Sequence, residues 1–220
     1  MSPSPRTKRI TVLISGSGTN LQALLDAVST PRLPSAHITY VLSSRSNAYG
    51  LTRAQNATPP IPTSICALKT YLNKHPSSTR EDYDAEVARL VLASKPDLVV
   101  LAGWMHILSD KFLGLLNPES DATVTPIPII NLHPALPQQF DGANAIGRAY
   151  EAFQKGEIAK TGVMVHRVVA EVDRGEPLVV REIAMRKGES LEELEARIHE
   201  IEHEIIVDGA RIVLEQLDQI

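Results

Sequence analysis

The chain has 220 residues, a net charge of −4 and 43% hydrophobic residues. This balance is ordinary for a globular α/β domain and lacks the basic clustering that nucleic-acid binding requires. The single cysteine, Cys66, excludes an internal disulfide and a cysteine-rich zinc site. The polar N-terminus is not followed by an apolar stretch long enough for a signal peptide or a membrane span, so we expect a cytoplasmic protein.

Short apolar segments alternate with amphipathic ones along most of the chain. We predict a disordered lead-in over residues 1–8 and one domain over 9–220. The predicted strands are 9–15, 37–42, 61–66, 98–102, 127–132, 161–168 and 178–183. The predicted helices are 21–28, 49–56, 80–94, 143–155 and 190–217, the last one capped by Ser190 with Glu193. We predict a loop over 117–128. This alternation indicates an α/β fold with a mostly parallel central sheet and helices on both faces.

A glycine-rich turn, SGSGTN at 15–20, joins the first strand to the first helix. Free backbone amides and the helix dipole favour a phosphate at such a turn. The turn lacks the lysine of a Walker A loop, and Leu21 stands where a G-x-G-x-x-G motif has its third glycine. A tight strand-to-helix turn without a ligand fits the same residues.

Asn131 and His133 close the predicted strand 127–132 and lie two residues apart, so their side chains share one face. Ligands of open α/β sheets bind at the carboxyl ends of the strands. An amide donor beside an imidazole can stabilise an oxyanion, and the imidazole can transfer a proton near neutral pH. The alternative is a polar strand end with two solvated side chains.

The segment 161–177 carries His166 on a strand and then Asp173 in a charged turn. Asp173 is placed to fold back on His133, where a carboxylate raises the pKa of an imidazole. A charged hairpin without catalytic function is the alternative, and His166 is interpreted as structural.

Six stretches together carry a resemblance to a known family. They are VLISGSGTNLQALLDA at 12–27, TREDYD at 79–84, VLAGWMHIL at 100–108, NLHPALP at 131–137, TGVMVHRVVAEVD at 161–173 and IEHE at 201–204. In this order they resemble the folate-dependent formyltransferases and span nearly all of residues 9–217. The resemblance implies a Rossmann-like formyltransferase fold. It also implies transfer of the formyl group of 10-formyltetrahydrofolate to the amine of 5'-phosphoribosylglycinamide, a reaction of purine biosynthesis, without a metal ion.

The same resemblance assigns roles to residues. Asn131, His133 and Asp173 match the catalytic residues of the family. The matching substrate-binding residues are Gly18, Thr19 and Asn20 in the phosphate turn, with His199, Glu200, Ile201 and Glu202 on the last helix. The matching folate-binding residues are Arg80, Met105, His106, Ile107, Leu108, Asn131, Val169, Ala170, Glu171, Val172 and Asp173. His106 departs from the bacterial pattern, which has arginine at this position.

Three other functions compete with this one. Methionyl-tRNA formyltransferase shares the Asn-His-Asp chemistry, but we expect it to carry a further basic C-terminal domain. Formyltetrahydrofolate hydrolase is expected to carry an extra N-terminal regulatory domain. A non-catalytic folate- or nucleotide-binding module would not need the three catalytic side chains. We therefore expect small-molecule partners and neither nucleic acid nor membrane as a partner.

Overall fold

The computed structural model describes residues 6–28, 30–118 and 125–219. Seven strands lie in these ranges: β1 (Lys8–Ile14), β2 (Ala36–Ser43), β3 (Thr63–Ile65), β4 (Leu98–Leu101), β5 (Ile129–His133), β6 (Lys160–Arg167) and β7 (Pro177–Ala184). They form one sheet in the order β3-β2-β1-β4-β5-β6-β7. The first five strands are parallel to one another. At one edge of the sheet β6 pairs antiparallel with β5, and β7 pairs antiparallel with β6.

Helices cover both faces of this sheet. Those of the described residues are α1 (Thr19–Ala27), α2 (Gly50–Asn56), α3 (Leu68–Lys74), α4 (Arg80–Ala93), α5 (Asp110–Leu116), α6 (Ala145–Gln154) and α7 (Leu191–Leu217). On one face α1, α2 and α7 pack against Val12, Val100 and Ile130. On the other face α4 and α5 pack against Leu13 and Val99. The predicted α/β class with a mostly parallel sheet is confirmed.

The central strands are short and apolar because both of their faces are buried. All four residues of β4 are buried, as are the last five of β1. The predicted start of the last helix is confirmed, because the Ser190 hydroxyl accepts from the Glu193 amide and the Glu193 carboxylate accepts from the Ser190 amide. Thr79 and Asp82 form the same capping box at α4.

Four expectations need correction or lie outside the described residues. The lead-in does not extend to residue 8, because Lys8 begins β1 and the Arg6 guanidinium pairs with Asp97. The helices α3 and α5 were not predicted. Each has only seven residues, and α3 contacts the core only through partly buried side chains such as Leu68 and Tyr71, so the apolar spacing is too short to identify a helix. Residues 119–124 of the predicted loop and residues 1–5 of the lead-in lie outside the described residues.

Candidate active site

The predicted catalytic side chains meet at the carboxyl end of β5. Asn131 and His133 point to the face covered by α4 and α5, since the alternate residues Ile130 and Leu132 pack on the opposite face. In the antiparallel pairing with β6, Asn131 lies directly opposite His166. This reversed strand therefore adds a second histidine to the site.

Asp173 folds back onto these residues from the loop between β6 and β7. One carboxylate oxygen, Oδ1, accepts from Asn131 Nδ2 at 3.3 Å, and the other, Oδ2, lies 3.4 Å from His133 Nδ1. The amide of Gly142 donates to Oδ2 at 2.8 Å. Asp173 has a φ of 56°, a left-handed conformation that aspartate tolerates better than most residues. The predicted triad is therefore brought together.

Burial and charge act on His133 in opposite directions. The side chain is only 5% exposed. Burial lowers the pKa of His133 and outweighs the nearby Asp173 carboxylate, which raises it. The expected effect of Asp173 on the pKa is therefore present, but desolvation is larger, so the net shift of the His133 pKa is downward and not upward. Nε2 of His133 is buried and has no hydrogen-bond partner among the described residues.

Asp173 itself remains an anion over a wider pH range than an ordinary carboxylate. Burial raises its pKa, but the close contact with His166, the hydrogen bond from the Gly142 amide and the charges of the two histidines outweigh burial and lower it. A fixed anion beside a buried imidazole stabilises a proton that arrives on the imidazole during a reaction.

His166 is a site residue that the sequence interpretation missed. Its Nδ1 lies 2.8 Å from the carbonyl oxygen of Arg167, which can only accept, so Nδ1 carries the hydrogen in the neutral ring. Nε2 then accepts from Asn131 Nδ2 at 3.1 Å and also lies 3.5 Å from Asp173 Oδ1. His166 thereby orients the Asn131 amide. The strand pairing that places it there has no signature in a single sequence.

The glycine turn precedes α1, and its second glycine, Gly18, is required for packing. Gly18 has a φ of 72°, and a Cβ there would lie 2.5 Å from the Cα of Gly50. The N-termini of α1 and α2 thus touch through two glycines. A side chain at Gly18 would disturb this contact whether or not a phosphate binds nearby.

Residues predicted to bind the substrate converge from α1 and α7. Asn20 donates to the Glu202 carboxylate at 3.2 Å, and both side chains are buried. Burial raises the pKa of Glu202, although Asn20 and the charge of His199 lower it. Thr19 lines a neighbouring cavity of about 460 Å³. His199 and Glu200 are exposed and Ile201 is half-buried, so they border this region rather than build it.

The predicted folate segment forms a partly apolar surface beside β4. Arg80 pairs with Asp84 at 3.1 Å and donates to the carbonyl oxygen of Ile107 at 2.6 Å, which fixes the segment to α4. The side chains of Met105 and Ile107 are 69% and 63% exposed, and their apolar surface is open to a ligand. Leu108 is buried beneath them.

The remaining predicted folate residues are His106 and the loop before Asp173. His106 packs against Tyr83 and Trp104 with ring centroids 5.8 and 5.6 Å apart. Its pKa is lowered, first by burial. Three loop residues are exposed and Val172 is half-buried; the exposed ones are Val169, Ala170 and Glu171.

Across 6–28, 30–118 and 125–219, no group of three or more histidine, cysteine, aspartate or glutamate side chains is arranged to hold a metal ion. None of the helices there combines the length and apolar character that crossing a membrane requires.

Comparison with known proteins agrees with this geometry. The family described as formyl transferase matches residues 8–209, and the chain therefore belongs to the formyl transferase family. The phosphoribosylglycinamide formyltransferase of Schizosaccharomyces pombe is 48% identical over 207 residues, which cover 93% of this chain and 96% of that protein. The Saccharomyces cerevisiae protein of the same name is 44% identical over 220 residues, which cover 95% of this chain and 98% of that protein.

A solved structure shares the architecture as well. The crystal structure of glycinamide ribonucleotide transformylase 1 from Symbiobacterium toebii aligns with a TM-score of 0.82 and 32% identity, covering 98% of this chain and 92% of that one. The family resemblance and the Rossmann-like formyltransferase fold predicted from the sequence are thereby confirmed.

Proposed function

We propose that this chain transfers the formyl group of 10-formyltetrahydrofolate to the amine of 5'-phosphoribosylglycinamide in purine biosynthesis. The relatives named for phosphoribosylglycinamide formyltransferase support this function along nearly their full length. The observation that carries the chemistry is the convergence of Asn131, His133 and Asp173 at the end of β5. We take residues 9–220 as one domain, consistent with its single sheet.

His133 acts first as a base. Because burial lowers its pKa, its ring is neutral near pH 7, with Nδ1–H directed at Asp173 and a lone pair on Nε2. The substrate amine attacks the formyl carbon, and the carbonyl electron pair moves to oxygen. Nε2 takes a proton from the new ammonium and then gives it to the departing folate nitrogen as the C–N bond breaks. Asp173 stabilises the imidazolium between these two transfers.

Asn131 stabilises the oxyanion. Its Nδ2 has two hydrogens, directed at His166 and Asp173 in the ligand-free arrangement. The bond to Asp173 is the longer of the two, at 3.3 Å, and we propose that this hydrogen turns to the oxyanion. Loss of one such donor costs about 3–4 kcal/mol in transition-state stabilisation in comparable sites.

The substrates occupy the two sides of the triad. The turn at Gly18, Thr19 and Asn20 holds the substrate phosphate, and Glu202 accepts from the ribose hydroxyls, with 199–201 bordering them. Arg80, 105–108 and 169–173 hold the folate. The partners are small molecules in the cytoplasm, with neither nucleic acid nor membrane, and the reaction needs no metal because His133 and Asn131 supply the proton and the donor.

A substrate-choice assay tests this function. The purified chain is given 10-formyltetrahydrofolate with either phosphoribosylglycinamide or methionyl-tRNA, and folate release is followed. We expect turnover of the first acceptor only, and its loss in His133→Ala. Formylation of the tRNA, or no turnover of either acceptor, would overturn the proposal. Arg174→Ala serves as the matched control, because Arg174 lies next to Asp173 but pairs with Asp141 rather than with a triad residue.

A further inference from the structure

The loop between β5 and α6, residues 134–144, lies against His133 and Asp173. The amide of Gly142 in this loop donates to Asp173 Oδ2 at 2.8 Å. Burial is the largest influence on the pKa of His133 and lowers it, whereas the Gln139 backbone and the Asp141 carboxylate raise it and therefore lie close to the ring. The position of the β5–α6 loop thus affects how the imidazole and the carboxylate face each other.

The β5–α6 loop has a backbone conformation that most of its residues do not favour. Gln138, Phe140 and Asn144 have φ values of 64°, 51° and 54°, and Gly142 has a φ of 81°. Left-handed conformations are uncommon for residues other than glycine, and a bulky residue such as phenylalanine adopts them less readily than asparagine. Such conformations persist only where the surrounding structure fixes them. A contact from outside the loop is therefore needed to hold the Gly142 amide in place.

Arg148 on α6 supplies this contact. Its Nη2 donates to the carbonyl oxygens of Phe140 at 2.5 Å and of Asp141 at 2.7 Å. Its guanidinium carbon lies 5.9 Å from the centre of the Phe140 ring. Helical side chains lean toward the N-terminus of their helix, so Arg148 reaches back over the loop that precedes α6. The adjacent Ala149 is fully buried, which anchors this part of α6 in the protein.

We propose that Arg148 is a positioning residue for formyl transfer, which fixes the β5–α6 loop so that the Gly142 amide orients the Asp173 carboxylate. The inference rests on the proposed function, in which Asp173 stabilises the imidazolium. The contacts run from the guanidinium to two loop carbonyls, along the loop to the Gly142 amide and on to Asp173 Oδ2, which lies 3.4 Å from His133 Nδ1. The hydrogen bonds of the Arg148 side chain to described residues go to the loop and not to the triad, so Arg148 acts through the loop.

The test replaces Arg148 with methionine, which keeps the apolar stem and removes the guanidinium. We expect kcat to fall by about 100-fold, the typical cost of misplacing a reacting group by about 1 Å. The KM values of phosphoribosylglycinamide and 10-formyltetrahydrofolate should stay unchanged, because Arg148 holds the loop rather than a residue proposed to bind either substrate. Arg148→Lys keeps the charge and can still donate to the carbonyls without the planar fork of arginine, so it should recover part of kcat.

Arg9→Met is the matched control for this experiment. Arg9 donates to the carbonyl oxygens of Lys95 at 3.0 Å and of Ser94 at 2.7 Å, and Lys95 has a φ of 51°. Arg9 thus makes the same kind of contact to a left-handed segment, but near the amino end of β1, at the opposite end of the parallel strands from the triad. Its loss should lower the melting temperature and leave kcat unchanged.

Hydrogen exchange gives a readout that needs no turnover. The Gly142 amide should exchange faster in Arg148→Met than in the wild type, and unchanged exchange would overturn the inference. A kcat that falls no further than in Arg9→Met would overturn it too, as would a loss confined to KM, which would make Arg148 a substrate contact. If Arg148→Met does not fold, Arg148→Lys is measured in the same two ways, with smaller changes expected. Faster exchange at Gly142, in a protein whose wild type does not formylate phosphoribosylglycinamide, would contradict only the proposed function.

Discussion

Replacing Asp173 with asparagine removes the charge opposite His133 and keeps the shape of the side chain. The two groups lie 3.4 Å apart and are 8% and 5% exposed. Two unit charges at this separation attract by about 5 kcal/mol at an effective dielectric constant of 20 and about 2.4 kcal/mol at 40. Since His133 carries its positive charge only during the reaction, this energy is lost from the transition state. We expect kcat to fall between about 50-fold and about 4,000-fold.

The pH profile separates this mechanism from a structural role of Asp173. A neutral His133 is the active form, so activity should rise with pH along an acid limb set by its pKa. Burial already lowers that pKa, and Asp173 partly restores it. The asparagine variant should therefore move the acid limb to still lower pH. The assay is kcat and kcat/KM for formyl transfer across the pH range of stable protein.

Asp141→Asn is the matched control for this experiment. Asp141 pairs with Arg174 at 2.6 Å and contributes least among the groups that act on the pKa of His133. It should change kcat and the limb only slightly. A near-wild-type kcat for Asp173→Asn, with an unmoved limb and an unchanged melting temperature, would refute the role given to Asp173.

Three further substitutions test neighbouring contacts. Glu202→Gln should raise the melting temperature near neutral pH and not in acid, because a raised pKa makes ionisation cost stability as pH rises above the ordinary glutamate value; an equal change at all pH values would contradict this. His166→Phe leaves a half-buried Asn131 N–H without its acceptor, so transition-state stabilisation should fall by about 1–3 kcal/mol and kcat by about 5- to 150-fold, with KM unchanged and partial recovery of kcat in His166→Gln; a loss confined to KM would contradict it. Gly18→Val should lower the free energy of unfolding by about 2 kcal/mol or more, because its Cβ meets Gly50, and an unchanged melting temperature would disprove that contact.

The parallel core of the fold was predictable from local patterns. Buried strands such as β1 and β4 are short apolar runs, and the Ser190 capping box marks the start of α7 in the sequence itself. The short helices α3 and α5 were not predictable, because seven residues give too few turns for a periodic apolar face.

The site was predictable where residues lie close in sequence or match a motif. Asn131 and His133 share a face by strand alternation alone. The hydrogen bond from Asn131 to His166 depends on the register between β5 and β6, and the contact of Asn20 with Glu202 depends on how α1 packs on α7. The net direction of the His133 pKa shift was missed for the same reason. Burial lowers this pKa, and the burial of a side chain depends on the folded chain rather than on adjacent residues in the sequence.

The antiparallel edge of the sheet has a consequence for the formation of the active site during folding. Asn131 and His133 sit on a strand of the parallel core, whereas His166 and Asp173 arrive with the hairpin of β6 and β7. Docking of that hairpin is therefore the step at which the chain acquires its chemistry. A folding intermediate with an intact parallel core and an undocked hairpin would hold half of the reactive groups and should be inert.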